Sequence, residues 1–75
     1  MNEMGKLHVL LGHWIEHNQE HSEEFVRWAQ RARTAGMEEV AGPIAEAARN
    51  VGEATRCLRQ ALDQLETGGG GDVSK

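Results

Sequence analysis

Tyrosine is absent from this 75-residue chain, and proline, cysteine and phenylalanine occur once each. So little proline suits long uninterrupted helices better than a fold built on many turns. The single cysteine, Cys57, has no partner for an internal disulfide, which suits a reducing compartment. Positive charge is not in excess: 8 Lys and Arg stand against 12 Asp and Glu, for a formal net charge of −4. The basic footprint of a nucleic-acid-binding surface is therefore missing. No long apolar run occurs either. Leu7–Ile15 is short and interrupted by His8 and His13, so it reads as neither a membrane span nor a signal peptide. These absences lead to the expectation of a cytoplasmic protein with no membrane insertion and no nucleic-acid partner.

What is present is one small domain, near the size at which a single core is marginal. In the first half, apolar residues fall at Leu7, Leu11, Trp14, Phe25, Trp28, Ala32 and Ala35, in alternating steps of four and three, with polar Asn18 and His21 filling two slots. The second half repeats the pattern at Met37, Ala41, Ile44, Ala48, Val51, Thr55, Leu58, Leu62 and Leu65. The spacing predicts helix one over about 3–34 and helix two over about 38–66. Gly36 suits a left-handed helix cap between them. Gly42-Pro43 predicts a kink, or a short turn followed by a main helix starting at Pro43. Residues 1–67 thus form the helical hairpin, and 68–75 a flexible Gly-rich tail.

A short connection makes the helices antiparallel neighbours, an all-α two-helix hairpin. Pairing outward from Gly36 places Trp28 near Ile44, Phe25 near Ala48, His21 near Val51, Trp14 near Leu58 and Leu11 near Leu62. A lone hairpin leaves much of each apolar stripe wet. Dimerisation into a four-helix bundle, or docking onto another helical protein, is therefore expected. The interface candidates are Leu11, Trp14, Phe25, Trp28, Ile44, Val51, Leu58 and Leu62.

The clearest chemical signal is a ladder. Residues 13–24 read HWIE-HNQE-HSEE, so three of the four histidines, His13, His17 and His21, stand at i, i+4 and i+8. Glu16, Glu20 and Glu24 each follow a histidine by three residues. Successive rungs lie one helical turn apart on nearly the same face. On a wheel of about 100° per residue, His21 lies about 40° from the centre of the apolar stripe, His17 about 80° and His13 about 120°. The ladder therefore winds from solvent toward the second helix. His17, His21 and Glu24 form its tightest cluster, at the edge of that interface.

Two histidines at i, i+4 can hold one divalent ion from a single helix, and a carboxylate one turn away can add oxygen. The expected ligands are His17 and His21, with His13 as an alternative partner for His17 and with Glu20 or Glu24. Nitrogen and oxygen donors without a thiolate suit nickel, cobalt or zinc, among others. The reverse motif, Glu-x-x-His, marks di-iron bundles, and its absence disfavours a ferritin-like oxidase. No nucleophile has a plausible base partner, so an enzyme is not expected. Two other readings compete. The histidines can be an ordinary solvated face, with His21 and Asn18 setting register. They can also form a pH-responsive interface, since histidine changes charge near neutral pH.

The run His13-Trp14-Ile15-Glu16-His17-Asn18, with Glu20-His21 and Trp28-Ala29, resembles a family of short helical proteins and domains. That family is associated with transition-metal uptake, particularly of nickel and cobalt, in anaerobic prokaryotes. The resemblance covers roughly residues 7–66. It implies a metal-handling role and no specific ligand set.

Overall fold

The computed structural model describes residues 2–67, and the expected Gly-rich tail at 68–75 lies outside them. The chain forms two helices, α1 (Glu3–Thr34) and α2 (Glu38–Thr67), joined into the expected hairpin. Both ends of α1 are capped by local chemistry. The Asn2 side-chain oxygen accepts the Gly5 N–H at 2.8 Å, satisfying one of the orphan donors of the first turn. At the other end Gly36 adopts φ 81°, which frees its N–H for Arg33 O and that of Met37 for Ala32 O, at 3.0 and 2.8 Å. This double closure is the Schellman arrangement, and only glycine enters its left-handed position without strain. Arg33 then donates from Nε to both carboxylate oxygens of Glu38 across the turn, at 3.0 and 3.1 Å. That hydrogen bond, and then the charge of Glu38, raise the Arg33 pKa above its ordinary value.

α2 runs through Pro43 rather than starting there. Proline has no N–H to offer the Glu39 carbonyl, so the ladder lacks one rung in the second turn, just past the four N–H groups that have no intrahelical partner.

The seam of α2 lies where its periodicity places it. Ala41, Ala48 and Thr55 are buried, and Ile44, Val51, Leu58, Leu62 and Leu65 are half-buried beside them. The seam of α1 differs from the expected one. Leu11, Ile15 and Ala29 are buried, with Asn18, Ser22, Phe25 and Ala32 half-buried between them. Ile15, Ser22 and Ala29 thus replace Trp14, His21 and Trp28, and the stripe turns by about 50°. Small side chains explain the choice. Ala29 and Ser22 face α2 where its own residues are Ala45 and Ala48. Helices lined this way approach closely, whereas an indole between them would force them apart. Trp14 and Trp28 stand 40% and 52% exposed instead.

Two hydroxyls inside the seam are satisfied by backbone carbonyls, one across the seam and one within its own helix. Ser22 donates to Ala48 O at 3.3 Å, and Thr55 donates to Val51 O in its own helix at 2.9 Å. At the open end His8 Nε2 meets Glu66 Oε2 at 2.9 Å. These contacts fix the levels of the two helices: residues 8 and 66 near the ends, 22 and 48 in the middle.

The hairpin measures 52 × 27 × 12 Å between Cα atoms. Its thickness is one helix diameter, so a second layer is missing from the usual two-layer plan of a domain. One broad face is lined by Gln19, Ser22, Val26, Arg49, Arg56 and Arg59. The opposite face carries Trp14, His21 and Trp28 from α1. Because the helices run in opposite directions, the same side of α2 presents the column Val40, Ala47, Ala54 and Ala61.

Candidate metal-binding ladder

Residues 7–24 of α1 form uninterrupted helix, so the His-x-x-Glu repeat is delivered as a continuous row of side chains. The rings of His13 and His17 meet edge to face with centroids 5.8 Å apart. Those of His17 and His21 stack at 4.5 Å with planes 24° apart. His21 in turn stacks on Phe25 at 6.0 Å. The row therefore continues from imidazole to phenyl, and Phe25 anchors it to the edge of the hairpin seam.

The carboxylates divide. Glu24 approaches the ladder, with Oε1 3.6 Å from His21 Nδ1. Glu16 and Glu20, exposed as Glu24 is, form no such ion pair with a ladder histidine among the described residues. The expected cluster of His17, His21 and Glu24 is thus the group the helix brings together, and Glu20 stands outside it. The environment of His21 is corrected. Its side chain is 48% exposed, and it sits on the open face rather than against α2 near Val51. The cause is the turn of the α1 stripe: Ser22 occupies the place facing α2, leaving His21 one position round the helix.

Stacked rings present their nitrogens side by side rather than aimed at one point. A shared ion requires one ring to rotate about its terminal side-chain bond, and exposed imidazoles do this freely. Among the described residues no three or more His, Cys, Asp or Glu side chains already converge on one point. A single chain therefore offers two imidazoles and one neighbouring carboxylate, an open and incomplete coordination set.

Other residues fall as follows. Cys57 is exposed and on α2, away from the ladder. His8 pairs with Glu66 instead of standing alone, a contact that only the level of the two helix ends reveals. The guanidinium of Arg31 lies 4.7 Å over the Trp28 ring, a cation–π contact. The ion pairs Arg49–Glu46 and Arg56–Glu53 run along α2 on its far side. Among the described residues no helix is long and apolar enough to cross a membrane.

A family model described as "Domain of unknown function (DUF8180)" matches residues 7–65, spanning both helices and the whole ladder. An uncharacterized protein of Archaeoglobus fulgidus is 37% identical over 62 residues, covering 83% of this chain and 98% of its own length. No solved structure matches.

Proposed function

The chain belongs to the DUF8180 family, and we propose, from the ladder alone, that it is a small metal-binding or metal-handling helical protein. His17 and His21 are its primary ligands. The observation that carries this reading is their pairing: two exposed imidazoles one helical turn apart, 4.5 Å between centroids, with Glu24 beside the second. Two nitrogen donors at that spacing bind a borderline divalent ion, and Glu24 adds oxygen or orients the imidazole. His13 is the alternative partner for His17, and Glu20 reaches the site only through rearrangement. Nickel, cobalt and zinc all suit this donor set. The role is non-enzymatic and cytoplasmic in this reading.

Calorimetric titration of the tag-free protein with Ni²⁺, Co²⁺, Zn²⁺ and Cu²⁺, beside a His17→Ala/His21→Ala double mutant, tests it. The wild type is expected to bind at least one of these ions tightly and the double mutant weakly. Equal binding by the two proteins rules the reading out.

A second reading has its own support. The hairpin is an interaction module that docks a helical partner or a second copy, with the histidines incidental. Exposed Trp14 and Trp28, beside the apolar column of α2, favour it. In that case metal leaves the melting temperature and the assembly state unchanged.

A further inference from the structure

We propose that a second copy of this chain packs antiparallel on the open apolar face, with the two-fold axis beside His21, so that His21 and Glu24 of both copies, backed by the stacked His17 rings, form one shared metal site. The inference rests on the metal-binding reading above and extends it from a half-site to a complete one.

The charge pattern of α2 identifies the face. Its charged residues, Glu46, Arg49, Glu53, Arg56, Arg59 and Asp63 among them, all fall on the half of the helix turned away from Trp14 and Trp28. The other half carries Val40, Ala47, Ala54 and Ala61, with uncharged Asn50 and Gln64 at its margin. A helix held by a partner on one side only is expected to be charged on every other side. α2 is instead uncharged over the open-face half, although solvent touches both halves, as a bundle helix with a second neighbour on that side is. The footprint, 52 × 27 Å, is ample for the roughly 800 Å² per partner that a stable interface buries.

The order of residues identifies the occupant as a second copy. On α1 the open-face column is Leu7, Trp14, His21, Trp28 and Ala35, each seven residues from the next. Reversal about His21 exchanges Trp14 with Trp28 and Leu7 with Ala35. The Ser22–Ala48 and His8–Glu66 contacts set Val51 level with His21. Reversal about that level exchanges Ile44 with Leu58 and, within one residue, Ala47 with Ala54. One axis therefore serves both helices, which is the condition for a closed isologous interface. Indole meets indole, and alanine meets alanine.

The same axis completes the site. His21 approaches His21 of the partner subunit, and the Glu24 of each chain, 3.6 Å from its own His21, lies one turn to either side of the axis. One imidazole from each chain, flanked by two carboxylates, makes a nitrogen–oxygen set sufficient for one divalent ion. An isolated chain then carries half of the set, His21 with Glu24 beside it.

Two measurements test the proposal, and they fail separately. The first is register, read without metal. In a Cys57→Ser background, His21→Cys is oxidised in the presence of chelator, with Gln19→Cys on the opposite face as the control. The His21→Cys protein is expected to give a disulfide-linked dimer in high yield and the control to remain monomeric. Equal cross-linking at both positions, or none at His21→Cys, overturns the two-fold arrangement. The second is stoichiometry of Ni²⁺ on the unmutated chain by native mass spectrometry. One ion per two chains is expected. One ion per single chain overturns the shared site and leaves the metal reading standing. No binding overturns both, even if the cross-link forms.

Discussion

Ile15 and Trp14 are neighbours in the chain with opposite fates, and the difference is decided by size. Ile15 is 7% exposed and fills the seam, while Trp14 is left outside it. Truncating Ile15 removes buried methyl groups and opens a cavity between closely packed helices. Ile15→Ala is therefore expected to destabilise the hairpin by about 2–5 kcal/mol in a urea unfolding titration. A loss indistinguishable from zero would mean that Ile15 does not face α2. The same pair shows where the sequence was hard to read. Two apolar stripes overlap on α1, one through Trp14 and Trp28 and one through Ile15 and Ala29. Hydrophobic spacing favours the larger residues. Close packing against Ala45 and Ala48 favours the smaller ones, and that preference depends on the partner helix, which periodicity alone does not contain. The displacement of His21 from the interface to the open face follows from this one shift.

At the scale of elements, the chain announces its helices plainly. Gly36 marks the end of α1 in the sequence and adopts the left-handed cap expected of it, whereas the Asn2 cap and the Arg33–Glu38 pair come from the structure. Gly36→Ala places a β-carbon at φ 81°, where nothing crowds it but the backbone itself is strained. A loss of about 1–2 kcal/mol is expected, measured by thermal or urea unfolding. An unchanged midpoint would contradict the left-handed cap. Pro43 was the less legible feature. Its ring suggests a helix start, yet α2 already has a turn before it. Pro43→Ala restores the N–H that the Glu39 carbonyl lacks and is expected to raise stability, by at most about 3 kcal/mol. A decrease would show that the proline supports the turn rather than interrupting the helix. The ladder is an element-level property too. Its spacing and the grouping of His17, His21 and Glu24 were readable from the sequence alone, whereas the stacking of His17 on His21 needed side-chain geometry.

At the scale of the whole molecule, a single layer of two helices leaves Trp14, Trp28 and Met37 at 40%, 52% and 49% exposure. Such a surface is a site of association in small domains. If a second copy docks on it as proposed, the melting temperature rises with protein concentration, because association stabilises only the folded chain. Trp28→Ala is expected to shift the sedimentation coefficient toward the monomer while far-ultraviolet circular dichroism stays helical. Retention of the wild-type sedimentation coefficient would place the association surface elsewhere. Association was expected from size and stripe width, with Trp14 and Trp28 among its interface candidates, whereas their expected pairing with Leu58 and Ile44 across the hairpin is revised by the exposure of both indoles.

The most direct test of the metal reading is thermal unfolding of the wild type and of the His17→Ala/His21→Ala mutant, each with Ni²⁺ and with chelator. A ligand bound only by the native state at 100 times its Kd adds about 2.7 kcal/mol. The wild-type transition is therefore expected to move to a higher temperature with Ni²⁺, to return with chelator, and to stay fixed in the mutant. Superimposable wild-type curves with and without the metal would contradict a specific site on the ladder.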